Sequence, residues 1–213
     1  MKRKTLRFLC ALTAVLTLLA AASCARKLKI NPSTTKIRDQ KSGIEYGFVS
    51  SNYLPRAVSE EKYAVFVQNK VKVNYFTIEG LSPDEWLYSE LGELIYSGET
   101  GSLPDISGFN PQSLLVAYNT DLNFTLAEIS TLEETEKIVD RFVNGEPSHP
   151  TYYDHDTYKL LFSSPDYPYL YYQLWLVVTS DGTYIFDRFT QKYVEAGDLF
   201  SDVVPAYSYE DYD

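Results

Sequence analysis

The stretch YPYLYYQLWLVVTSDGTYIF, residues 167–186, contains the densest run of aromatic side chains in the chain. Aromatic and β-branched residues favour strands. The dipeptide Asp181-Gly182 interrupts the run, and Asp-Gly is typical of the tight turns that join antiparallel strands. The stretch therefore predicts a β-hairpin, with one strand over residues 170–179 and a returning strand over residues 183–189.

Alternate side chains of the first strand point to opposite faces of a sheet. We expect the more aliphatic face to lie in the core; it comprises Leu170, Tyr172, Leu174, Leu176 and Val178. The other face comprises Tyr169, Tyr171, Gln173, Trp175 and Val177. Here Tyr169, Tyr171 and Trp175 are candidates for stacking on a sugar ring or binding a cation. The alternative is that both faces are covered, as in a central strand.

Further strand patterns precede and follow this hairpin. They lie at residues 43–50, 63–67, 71–78, 113–118, 123–129, 158–162 and 192–196. Two capping boxes, at residues 82–85 and 131–134, predict two helices. The first helix would continue through Leu87, Leu91, Leu94 and Ile95, and the second would end at Gly145. We therefore expect an α+β fold, a mainly antiparallel sheet with two helices on one face and a C-terminal β-hairpin.

The N-terminal residues 1–23 have the pattern of a secretory signal peptide. Four basic residues lie within the first seven positions, an apolar run extends from Phe8 to Ala22, and small residues occupy positions 20–23. Basic, apolar and small-residue regions in that order are typical of a cleaved export signal. A membrane-spanning helix needs about 20 apolar residues, so this run is short for a permanent span.

The tetrapeptide Ala21-Ala22-Ser23-Cys24 resembles the lipobox of bacterial lipoprotein precursors. The resemblance implies cleavage before Cys24, palmitate-type acylation of that residue, and attachment to the extracytoplasmic face of the cell membrane. Cleavage after Ala22 is the alternative that the residues leave open. Once Cys10 is removed with the signal, Cys24 has no partner for an internal disulfide. The rest of the chain resembles uncharacterised bacterial lipoproteins only in general style.

Charge is distributed unevenly along the chain. The formal net charge is −10, and residues 24–213 hold 15 basic and 29 acidic residues. Residues 25–42 hold six basic residues and one acidic residue. We expect residues 24–42 to be a lipid anchor and basic tether that lies against anionic head groups, or else a disordered leader. Residues 43–206 would form a single domain, and residues 207–213 an acidic tail. Because phosphate contacts require Lys and Arg, the acidic body argues against nucleic acid.

One loop concentrates the residues that could support chemistry. It contains His149, Asp154, His155 and Asp156, which suit a metal site or an acid–base pair. The alternative is an ordinary polar loop between a helix and a strand. The chain has no Gly-rich phosphate loop, no HExxH motif and no cysteine-based metal site, so we expect no metal and no cofactor.

These features favour a non-catalytic, membrane-anchored module that binds a protein or glycan partner in the cell envelope. The first alternative is an envelope hydrolase or metal-dependent enzyme that uses the loop with the two histidines. The second is an acidic inhibitor or immunity-type protein, because an acidic surface would complement a basic target.

Overall fold

A computed structural model describes residues 26–49, 52–120, 124–151 and 155–205. The signal segment 1–23, Cys24, Asp154 and the acidic tail 207–213 lie outside these residues. The described chain forms a closed seven-stranded barrel and a second seven-stranded sheet. The expected α+β fold with two helices is therefore wrong: 47% of the described residues are in strands and 9% are helical.

The barrel is built from the N-terminal half of the chain. In spatial order β1, β2, β3, β8, β7, β6 and β5, its strands are Arg26–Ile30, Ile37–Asp39, Glu45–Phe48, Leu94–Tyr96, Trp86–Ser89, Val71–Ile78 and Val58–Gln68. All neighbouring strands are antiparallel except β1 and β5, whose parallel pairing closes the barrel. Closure removes the exposed strand edges that an open sheet would present.

The second sheet contains the hairpin predicted from residues 167–186. Its strands, in spatial order β10, β9, β11, β12, β13 and β14, are Thr125–Ile129, Ser113–Tyr118, Asp156–Ser163, Leu170–Thr179, Gly182–Asp187 and Lys192–Glu195. The short strand β4, Tyr53–Pro55, pairs with the first residues of β12. The aliphatic face of β12 lies in the core as predicted, with Leu174 and Leu176 fully buried.

The first predicted helix is a β-hairpin, β7 and β8. Ser82 begins a single turn, which leads directly into β7. Its carbonyl accepts the N–H groups of Glu85 and Trp86, both at 2.9 Å. The apolar residues that suggested helical spacing instead face each other across the hairpin, with Leu87 opposite Ile95. Leu91 belongs to the turn and is 66% exposed. Two different cores flank this hairpin, and their packing outweighs the local capping signal.

The second predicted helix is present and is the one α-helix of the described chain. This helix, α1, spans Leu132–Asn144. The side chain of Thr131 hydrogen-bonds to Glu134, and the Gly145 N–H donates to the Arg141 carbonyl at 2.9 Å. Ile138 and Phe142 are buried against the second sheet, because they share one helical face.

Two hydrophobic clusters hold the fold together. One fills the barrel and includes Tyr46, Tyr75 and Leu87. The other lies between the second sheet, α1 and the near side of the barrel, where it includes Trp86 and Leu94. Because β7 and β8 send alternate side chains into each cluster, the barrel and the sheet share a packed boundary. Burying a large apolar side chain contributes about 1.5–3 kcal/mol.

Residues 24–42, expected to form an anchor and basic tether, contribute β1 and β2 to the barrel. Leu28 and Ile37 point into the barrel core and are at most 1% exposed. Arg26 forms an ion pair with the fully buried Asp39 at 3.1 Å. β1 and β2, within residues 26–42, are therefore part of the folded barrel.

Candidate binding cleft

A cleft with a volume of about 610 Å³ lies between the barrel and the second sheet. Residues from four separate parts of the sequence line it. From the barrel these are Phe48, Val49, Gly92, Glu93 and Leu94; from the sheet side they are Asn52, Tyr53, Leu54, Gln173, Trp175, Arg188 and Phe189. The volume falls within the range of small-molecule binding sites, about 300–1,000 Å³.

The floor of the cleft is fixed by a buried asparagine. The Asn52 side-chain amide donates to the Tyr172 hydroxyl at 3.2 Å. The Asn52 carbonyl accepts the Gln173 N–H at 2.7 Å, which ties β12 to the segment that leads into β4. Burial is the main cause that raises the pKa of Tyr172, so its hydroxyl is neutral at physiological pH and can accept this hydrogen bond.

Two turns form opposite rims of the cleft, and each is held by one buried polar side chain. Ser89 is fully buried, and its Oγ accepts the N–H groups of Leu91 at 3.2 Å and Glu93 at 2.9 Å. Asp187 is 4% exposed, and its Oδ1 accepts the N–H groups of Phe189 at 2.8 Å and Thr190 at 3.3 Å. These bonds fix the backbone at both rims before any ligand arrives.

The rims carry side chains of opposite charge. Glu93 stands on the barrel rim and Arg188 on the sheet rim, and both are exposed. The ion pairs found among the described residues do not join them. Burial, and then the nearby Glu93 carboxylate, raises the pKa of Tyr75 inside the barrel. The lining of the cleft therefore includes one anionic and one cationic side chain.

Exposed aromatic rings lie beside these charges. Phe48 is 43% exposed and Phe189 is 53% exposed, while Trp175 is half-buried on β12. Trp175 pairs with Phe186 on β13, and the Phe186 ring stacks on Tyr193 at 4.0 Å between centroids. Neighbouring strands thus support Trp175 from one side, and the opening of the cleft lies on another.

The three aromatic residues singled out in the sequence do not form one site. Trp175 lines the main cleft. Tyr171 is covered by Arg56, whose guanidinium lies 4.6 Å from the ring centroid. Tyr169 lies at a separate pocket of about 240 Å³, with its ring against Gly80. The three aromatic residues therefore have three different surroundings.

The loop with the two histidines follows the edge of the second sheet. The His149 ring lies 5.4 Å from the Tyr193 ring, and Asp156 starts β11 opposite Val178. Tyr193 pairs with Phe186, whereas Val178 pairs with Thr183, three residues away on β13. Three strand residues correspond to about 10 Å, so the positions of His149 and Asp156 are offset by about that distance along the strand direction. His155 directly precedes β11 and is exposed.

No group of three or more His, Cys, Asp or Glu side chains within the described ranges could hold a metal ion. Asp154, the fourth member of the proposed loop site, lies outside those ranges. In the same part of the chain, no helix combines the length and apolar character needed to cross a membrane.

Comparison of the chain with protein-family models, curated proteins and solved structures finds no match to any of them.

Sequence reasoning found Trp175 and missed the other cleft residues. Phe48 and Phe189 come from strand ends and turns more than 140 positions apart in the chain. Two local signals were present. Gly92 adopts a φ of +85° in the β7–β8 turn, and Asp187 starts the β13–β14 turn. Neither signal shows that the two turns meet across one cleft.

Proposed function

We propose that the protein is a lipid-anchored, extracytoplasmic and non-catalytic binding module, and that the cleft between its barrel and its second sheet holds a glycan of the cell envelope. The observation that carries this proposal is the lining of the cleft. Exposed aromatic rings alternate there with polar side chains, around a volume of about 610 Å³.

The chemistry of the lining suits a sugar. Flat apolar rings such as Trp175 and Phe189 can stack on the C–H face of a pyranose ring. Gln173, Glu93 and Arg188 supply planar donors and acceptors for neighbouring hydroxyl groups. Because Ser89 and Asp187 already hold the rims in place, a ligand loses less free energy in ordering the site.

The anchor part of the proposal rests on the N-terminal sequence. A lipid on Cys24 would keep the module at the outer surface of the membrane, where envelope glycans are found. Two or three acyl chains suffice for stable attachment, whereas one is marginal. Mass spectrometry of the N-terminal peptide tests this directly, because acylated Cys24 and a free thiol differ in mass.

The glycan part can be tested by the fluorescence of a single tryptophan. The chain has two, and Trp86 is 6% exposed in the core, where it stacks on Tyr96 at 4.1 Å. A Trp86→Phe variant leaves Trp175 as the one indole. Titration with soluble amino-sugar oligomers from cell-wall glycan is expected to shift its emission and to saturate.

Two further variants on that background separate the cleft from general stickiness. Gln173→Ala removes a polar group of the cleft, and we expect it to weaken binding at least tenfold, as losing one or two hydrogen bonds would. Phe124→Ala removes an exposed aromatic ring outside the cleft and should leave binding unchanged. Equal binding by both variants, or no emission change with any oligomer, would rule out the cleft as a glycan site.

A further inference from the structure

The outer side of the barrel carries a row of four side chains, three of them basic, that spans four strands. Arg38 on β2 pairs with Lys29 on β1, and Val67 on β5 pairs with Lys72 on β6. Leu28 pairs with Phe66, which places Lys29 next to Val67. All four members of the row are exposed. At 4.7–4.9 Å between strands, the row is about 14 Å long.

Side chains along β1 point alternately into and out of the barrel, and this places a fifth residue, Lys27, on the outer side. Leu28 points into the barrel and is 1% exposed, so Lys27 and Lys29 point outward. We call the surface formed by Lys27, Lys29, Arg38, Val67 and Lys72 the basic face. It ends at β3, where Glu45 lies opposite Arg38 and accepts a hydrogen bond from Thr34. Beyond Lys72 it ends at Glu90, whose pKa is lowered mainly by hydrogen bonds from Asn74 and further by Lys62 and Lys72.

The basic face is the exception in a strongly acidic protein. Residues 26–42 and 62–72 hold nine of the 15 basic residues of 24–213. Their one acidic residue, Asp39, is buried and paired with Arg26. The rest of residues 24–213 holds six basic and 28 acidic residues. The parallel pairing of β1 with β5 brings these two basic segments together.

The position of the N-terminus gives this face an orientation. β1 starts at Arg26, two residues after Cys24. Two residues of extended chain span at most about 7 Å. A lipid on Cys24 would therefore hold the start of β1, and with it Lys27, within a short distance of the bilayer surface.

We infer that the basic face docks on the anionic head groups of the membrane, so that the barrel lies on the bilayer and the acidic second sheet points away from it. This inference rests on the proposed lipid at Cys24 for its orientation. Each Lys or Arg near an anionic surface strengthens attachment about fivefold, and the exposed Val67 can enter the interface. Repulsion between the acidic second sheet and the anionic head groups favours the same orientation.

The test uses the full protein purified from membranes and reconstituted in two kinds of vesicle. One contains phosphatidylcholine alone, and the other contains roughly one-third phosphatidylglycerol. A neutral amine reagent labels exposed lysines, and mass spectrometry gives the rate at each site. We expect Lys27, Lys29 and Lys72 to react about fivefold more slowly in the anionic vesicles. Lys137 and Lys159, on α1 and β11, should react equally in both.

Two charge-matched variants follow the rate at Lys72, which lies on β6 and is not held at the bilayer by the anchor itself. The double variant Lys29→Gln/Arg38→Gln should lose the protection of Lys72. The control Lys137→Gln/Arg141→Gln has the same net charge and should keep it. Protection should also disappear at high salt, because the attraction is screened.

The outcomes separate the face from the anchor. A protein lipidated at Cys24 whose lysines react equally in both vesicles overturns the docking inference alone. A protein without lipid on Cys24 that still sediments with anionic vesicles, with Lys27 protected, supports the basic face and removes the anchor. An unlipidated protein that sediments with neither vesicle overturns both. Equal protection of Lys72 in the two double variants also refutes the basic face.

Discussion

Replacing Arg26 by Leu tests whether residues 26–42 belong to the folded barrel. The Asp39 carboxylate is fully buried, whereas the Arg26 side chain is 28% exposed. Asp39 accepts from Arg26 at 3.1 Å and from the Lys41 N–H at 2.7 Å. Arg26→Leu would leave Asp39 as a buried charge without its cation. Breaking a buried pair in this way costs about 3–5 kcal/mol.

We expect the lower end of that range, about 3 kcal/mol, because water can reach part of Arg26. For a protein of this size each kcal/mol lowers Tm by about 2–4 °C, which predicts a loss of roughly 6–12 °C. Urea unfolding followed by circular dichroism measures the free energy directly. The double variant Arg26→Leu/Asp39→Asn should regain part of the loss, since no buried charge then remains.

Lys27→Leu is the matched control, because Lys27 is the next residue on β1 and is exposed. A surface substitution of this kind changes stability by less than about 0.5 kcal/mol. If Arg26→Leu and Lys27→Leu unfold at the same urea concentration, the ion pair does not stabilise the barrel. The expected contribution of the Arg26–Asp39 pair to the stability of the barrel would then be refuted.

Three further changes test the fold. Ser89→Ala removes the acceptor of two turn N–H groups, so we expect a loss of about 1–3 kcal/mol in urea unfolding; an unchanged midpoint would contradict it. Burial, and to a smaller extent the negative charge of Asp39, raises the pKa of Tyr46 from 10.0 to about 12. The stability that this hydroxyl contributes is therefore fully present below pH 10 and is lost as the pH rises through 12. In Tyr46→Phe, unfolding measured from pH 9 to 12 should depend less on pH; an identical profile would exclude the role of Tyr46. Gly80 has a φ of +80° and faces the Tyr169 ring, so Gly80→Ala should cost at least about 1 kcal/mol, and a silent substitution would show that this turn can relax.

Strands with strong local patterns were predictable from the sequence. The predicted bounds 113–118 and 170–179 coincide with β9 and β12. The hairpin turn at Asp181-Gly182 also lies where it was expected. In these segments alternation, residue type and turn residues indicate the same structure, so tertiary packing has no local preference to overcome.

The hairpin β7–β8 shows where that reasoning fails. Leu87, Leu91 and Leu94 have helical spacing, and Ser82 can cap a helix. Yet Leu87 packs inside the barrel, and Leu94 packs against the second sheet. A segment that is buried on both sides needs apolar residues on both faces, and that pattern mimics a helical face over a short window.

The sequence by itself determined the uneven charge, the capped helix α1 and the strands with strong local patterns, such as β9 and β12. These properties depend on neighbouring residues, and a local pattern can therefore record them. The tertiary structure alone decided that β1 pairs with β5, that the barrel closes, and that Phe48, Glu93, Trp175 and Arg188 line one cleft. Such pairings depend on which buried surfaces fit together across long separations in the chain, and no local pattern specifies that choice.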